Sequence, residues 1–168
     1  MKGDMRFTMP LWQMGMILIL IVLSIVITTS SELKIFQDGG FMFEMKLENW
    51  TGIVFSIGLL SYVVFLTLFL INISKHNRRF PDKKINMLTI KPQEYIADDE
   101  LFSEVTKNAT QKVYSYYSWA LPVLVIFSLG GFWNRTAIIV GILVIALGQY
   151  WIYYRTMRKV FVDGGTDE

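Results

Sequence analysis

With 168 residues, 53% hydrophobic and 18% charged, the chain has the length of a single domain and is more apolar than an average soluble one. A net charge of +2 gives no reason to expect nucleic acid as a partner. The absence of cysteine excludes disulfides, thiolate metal sites, thiol nucleophiles and cysteine-linked lipid anchors.

The apolar residues fall in long blocks almost free of charge, and a helix needs about 20 such residues to cross hydrocarbon. Residues 11–29 form the first uncharged block. Lys2 and Arg6 before it, and Thr28, Thr29 and Ser30 at its end, resemble the flanks of a cleaved signal peptide. The block is longer than the usual h-region, so it is expected to be a retained span. Residues 30–49 follow as an outer loop. There Phe41, Phe43, Met45 and Leu47 alternate with Met42, Glu44 and Lys46, and Asp38-Gly39-Gly40 is a turn signal after 33–37. This pattern predicts a small extracellular β-hairpin with one apolar face, or else an irregular amphipathic loop. Residues 50–73 form the second uncharged span.

Residues 74–116 are read as a cytoplasmic loop. Its first part places Lys75, Arg78, Arg79, Lys83 and Lys84 against the membrane, where basic clusters attract anionic lipid or simply fix topology. Its second part reads as an amphipathic helix lying in the cytoplasmic interface. Asp98 or Asp99 would cap it, and Leu101, Val105, Ala109, Val113 and Tyr116 recur at helical spacing. The chain then bends near residues 119–122 into a third span, 117–133, with Pro122 tolerable in its opening turns. A fourth span, 136–154, follows after only Asn134 and Arg135, and Gly130 and Gly131 would let the backbone turn.

Two further patterns agree with these spans. Trp12, Trp50, Trp119, Trp133 and Trp151 each lie near a span end, where amphipathic rings settle at headgroup level. Of the 16 Lys and Arg, only Lys34, Lys46 and Arg135 fall on the side opposite the tails. Basic loops stay cytoplasmic, so both termini and the 74–116 segment are expected there.

The pattern Asp98-Asp99-Glu100, then Ala109, then Lys112-Val113-Tyr114 leading into a transmembrane hairpin resembles small four-helix membrane proteins of Gram-positive bacterial type. The resemblance covers 92–154. It implies a four-helix membrane protein without an assigned activity, and carries over no functional residue.

Chemistry is sparse. His76 is the one histidine and reads as an exposed residue of a basic loop. Ser56 and Ser61 lie too deep in the second span to pair with it, and residues 54–58 lack the first glycine of a nucleophile elbow. No catalytic, cofactor-binding or metal-ligating residue is expected, and Asp98, Asp99 and Glu100 are better explained as helix capping than as a cation site. The four span interiors hold no ionisable group of the kind ion-coupled carriers place there. Gly52, Ser56, Gly58, Gly141, Ala146 and Gly148 are small enough to let helices approach closely, within the protein or in an oligomer.

The expected architecture is therefore all-α and polytopic. It has four transmembrane helices, a cytoplasmic amphipathic helix and a small extracellular hairpin in one integral domain, 1–168. The expected role is non-enzymatic: an accessory, scaffold or regulatory protein, possible immunity-type protection included, in contact with the bilayer and a membrane-protein partner or a second copy. The alternative is a small channel or transporter subunit whose pore forms on oligomerisation.

Overall fold

The computed structural model describes residues 5–35, 41–47, 49–81, 84–85, 100–129 and 134–160. Among the described residues four long helices dominate: α1 (Met5–Ser30), α2 (Asn49–Arg79), α3 (Glu100–Leu129) and α4 (Arg135–Arg158). Between α1 and α2 run two five-residue antiparallel strands, β1 (Ser31–Ile35) and β2 (Phe41–Met45). The register pairs Leu33 with Phe43 and Ile35 with Phe41. It also sets Glu32 opposite Glu44, a like-charge pairing that Lys46 offsets by approaching the Glu44 carboxylate at 3.5 Å. The predicted turn at 38–40 lies outside the described residues.

Among the described residues three helices are long and apolar enough to cross a membrane: Phe7–Ser30, Trp50–Arg79 and Arg135–Arg158. The third predicted span, 117–133, ends outside the described residues, because α3 is followed only to Leu129 and the expected turn at Gly130 and Gly131 lies beyond it.

Neighbouring helices run antiparallel. Gly15 of α1 faces Phe65 of α2 and Leu23 faces Gly58, while Tyr117 of α3 reaches Gln149 of α4 and Thr106 reaches Met157. One end of the molecule therefore gathers the start of α1, the ends of α2 and α4, and the first half of α3. This is termed the basic end, since Lys75, Arg78, Arg79, Arg155, Arg158 and Lys159 lie there. α1 packs against both α2 and α4, and α4 packs against α3. Among the described residues, α2 and α3 share no comparable interface, so the helices form an open row, α2–α1–α4–α3.

Two expectations need correcting. The first is that an amphipathic helix lies on the membrane surface and bends into the third span. Instead, α3 is a single helix from Glu100 to Leu129. Its stripe of Val105, Ala109, Val113 and Tyr116 is buried or half-buried, with Val105 packed against Met157, Phe7 and Tyr153. Protein, not lipid headgroups, covers that stripe. Pro122 consequently lies deep inside a helix, where its missing N–H leaves the Ser118 carbonyl without its usual donor. Asp98 and Asp99, the expected caps, lie outside the described residues.

The second correction concerns 75–79. These residues belong to the last turns of α2 rather than to a loop, because the run contains neither proline nor glycine before Pro81. α4 is capped by Asn134, whose side-chain oxygen accepts the Ala137 N–H at 3.0 Å from an extended backbone (φ −79°, ψ 169°).

Candidate functional site

Helical spacing divides each helix into faces. On α2, Gly58, Tyr62, Phe65, Phe69 and Ile73 recur every three or four residues and are buried or half-buried against α1. The opposite face carries Trp50, Ile53, Ile57, Leu60, Val64, Leu68 and Ile71, all exposed, with Trp50 at 67%. α1 shows the same contrast along Leu11, Leu18, Val22 and Ile25. A helix in water would carry polar side chains on that face. Here both the packed and the unpacked stripes are apolar, as lipid requires.

Burial is graded along the helices as well. Apart from Leu23 and Val26, the fully buried side chains among the described residues lie on the basic-end side of mid-helix. Two clusters stand out among them. One joins Met5, Met16, Phe69, Ile73 and Ile85, flanked by Trp12, whose ring lies 4.8 Å from Phe65. The other joins Val105 and Met157. The far half of α3 is open: Trp119 is 76% and Leu129 81% exposed. At about 1.5 Å per residue, the 31 residues of α2 span about 46 Å, well beyond a hydrocarbon core of about 30 Å. The basic end is where side chains are packed out of water.

His76 overturns its expected exposure. It is only 5% exposed, set in α2, with its ring 5.1 Å from that of Phe80. Its Nδ1 accepts the Met5 backbone N–H at 3.4 Å, satisfying one of the donors that a helix start leaves open. Beside it, the half-buried Asn77 grips the returning chain twice. Its Nδ2 donates to the Ile85 carbonyl at 2.9 Å, and its Oδ1 accepts the Ile85 N–H at 2.8 Å. The Phe80 N–H donates to the His76 carbonyl at 2.8 Å, and the Arg79 guanidinium lies 5.6 Å from the Phe80 ring centre. Lys75, Arg78, Arg79 and Lys84 are exposed around this turn. Lys83 lies outside the described residues.

The small residues are distributed unevenly. A Cβ on Gly58 would stand 2.8 Å from Leu23 Cδ2, and one on Gly148 would stand 2.8 Å from Tyr116 Cζ, so both sit where helices touch. Gly52 lies near the Leu47 carbonyl, while Gly141 and Ala146 are half-buried on α4. Ser56 faces outward, its hydroxyl bonded to the Gly52 carbonyl of its own helix. Gly15, which the sequence did not single out, belongs with the close contacts: a Cβ there would meet Phe65 Cζ at 2.6 Å. Next to Gly148, the Tyr117 hydroxyl donates to the Gln149 side-chain oxygen, joining α3 to α4 at the same level.

Among the described residues no group of three or more His, Cys, Asp or Glu could hold a metal ion. Compared with known proteins, the chain matches no family model, no curated protein and no solved structure.

Proposed function

We propose that the chain is a non-enzymatic integral membrane protein that crosses the bilayer four times, with its basic end and both termini cytoplasmic. It acts as an accessory, scaffold or regulatory subunit, immunity-type protection included, through helix contacts with another membrane protein. The strand pair between α1 and α2 forms a small extracellular hairpin in this reading, and α3 supplies the third of the four crossings.

The observation that supports this best is the open row of helices. α2 and α3 each pack extensively on one neighbour and turn most of an apolar circumference outward. Lipid can cover such faces, and another helix can cover them equally well, since association in bilayers rests on shape and small residues rather than on the hydrophobic effect. The outward Ser56 gives α2 a position at which a partner helix could approach closely.

A photo-cross-linking residue placed at Ile57 or Leu60 should join the chain to one stoichiometric membrane protein in its native membrane. The same residue at Phe69, which is 0% exposed, should give no intermolecular product. Ion or solute flux through liposomes holding the purified chain alone would defeat this reading in favour of a pore.

A further inference from the structure

We propose that the end of α2, together with Lys84, forms a preformed site for an anionic phospholipid. Lys75, Arg78, Arg79 and Lys84 take the phosphate, and the apolar stripe of α2 takes the acyl chains. The proposal rests on the reading that α2 spans a membrane.

Three observations combine. Val64, Leu68, Ile71, Lys75 and Arg78 follow one another at alternating steps of four and three residues, which places them on one face of α2, and all five are exposed. That face is apolar up to Ile71 and basic from Lys75, a change within one helical turn that matches the chain-to-headgroup boundary of a single lipid. Next, the chain is fastened at Ile85. The two hydrogen bonds from Asn77 hold Ile85 beside the helix end, and the Ile85 side chain is buried with Met5, Phe69 and Ile73. Lys84, adjoining the fastened residue, is thereby returned beside the turn that carries Arg78 and Arg79. Finally, Phe80 lies against the Arg79 guanidinium, which limits the orientations open to that side chain.

A cluster that serves topology alone needs charge on the correct side and nothing more. A fastened chain reduces the ordering cost that a ligand would otherwise meet on binding. Arginine presents paired N–H donors that fit two oxygens of a phosphate. A soluble phosphate would satisfy the same donors, but only a lipid also uses the apolar stripe directly below them.

The test uses the full chain in neutral detergent, with thermal unfolding followed as phosphatidylglycerol or phosphatidylcholine is titrated into the micelles. Phosphatidylglycerol should stabilise the protein at lower lipid fractions than phosphatidylcholine. Lys75→Gln, Arg78→Gln and Lys84→Gln should each weaken that preference about fivefold, as expected for one basic residue at an anionic surface. Lys107→Gln with Lys112→Gln, exposed on α3, should leave it unchanged. Asn77→Ala should weaken it with every basic residue intact, and if that variant does not fold, Lys84→Gln carries the test, since its side chain is exposed. Equal stabilisation by the two lipids, an undiminished preference in Arg78→Gln and Lys84→Gln, or an equal effect of inorganic phosphate would each overturn the proposal. Recovery of the chain from membranes without detergent would instead defeat the spanning reading beneath it.

Discussion

Phe69 and Leu60 are both large apolar residues of α2, nine positions apart, yet one is fully enclosed and the other is 66% exposed. Truncating an enclosed aromatic removes its contacts and leaves a cavity, so Phe69→Ala should cost about 3–5 kcal/mol of stability in detergent. Leu60→Ala should cost well under 1 kcal/mol, because lipid or detergent fills the gap. Unfolding in mixed detergent micelles measures both, and similar losses at the two positions would contradict the assignment of faces. His76 shows how far a residue's surroundings can differ from its sequence context. Its neighbours in the chain are Lys75, Asn77, Arg78 and Arg79, all signs of a wet loop, yet the helix continues and turns the imidazole inward to the start of α1. Asn134 was readable in principle, as an asparagine a few residues before an apolar run is a common helix start.

At the scale of elements, the interface between α3 and α4 rests on small residues and one polar contact. Tyr116 fits over Gly148 while Tyr117 bonds to Gln149, one residue along each helix. Gly148→Leu should destabilise the protein by about 1–3 kcal/mol, because the Tyr116 ring must move and drag its neighbour out of hydrogen-bonding position. Combining it with Tyr117→Phe should then cost less than the sum of the single changes. A double-mutant cycle measures this, and strict additivity would show the two contacts to be independent. The helix stripes themselves were legible: Val105, Ala109, Val113 and Tyr116 recur at helical spacing, and all four are buried or half-buried. What covers them was not. Periodicity shows that one face avoids water, and a membrane surface and a neighbouring helix produce the same pattern.

At the scale of the molecule, the decisive question is whether α3 crosses the bilayer. Lys84 precedes α3 and Arg135 follows it, both are exposed, and the native chain has no cysteine. A membrane-impermeant maleimide should label Arg135→Cys on intact cells and Lys84→Cys only after permeabilisation. Labelling of both from the same side would remove one crossing and with it the proposed orientation. The open row of helices and the packed basic end belong to this scale too. In the proposed orientation both follow from helices longer than the apolar slab: within it, lipid substitutes for a closed core, and beyond it, water forces side chains to pack against one another.

The amino-acid sequence by itself determined that long uncharged segments are apolar enough to cross a membrane and which positions share a face. These properties depend on local composition and on a period of 3.6 residues. The tertiary structure decided which covered face meets protein and which is left to lipid, that α1 lies between α2 and α4, that His76 is enclosed, and that Asn77 returns Lys84 to the end of α2. Such features arise from contacts between residues far apart in the chain, and an apolar environment leaves the same mark on a sequence whether it is made of lipid or of another helix.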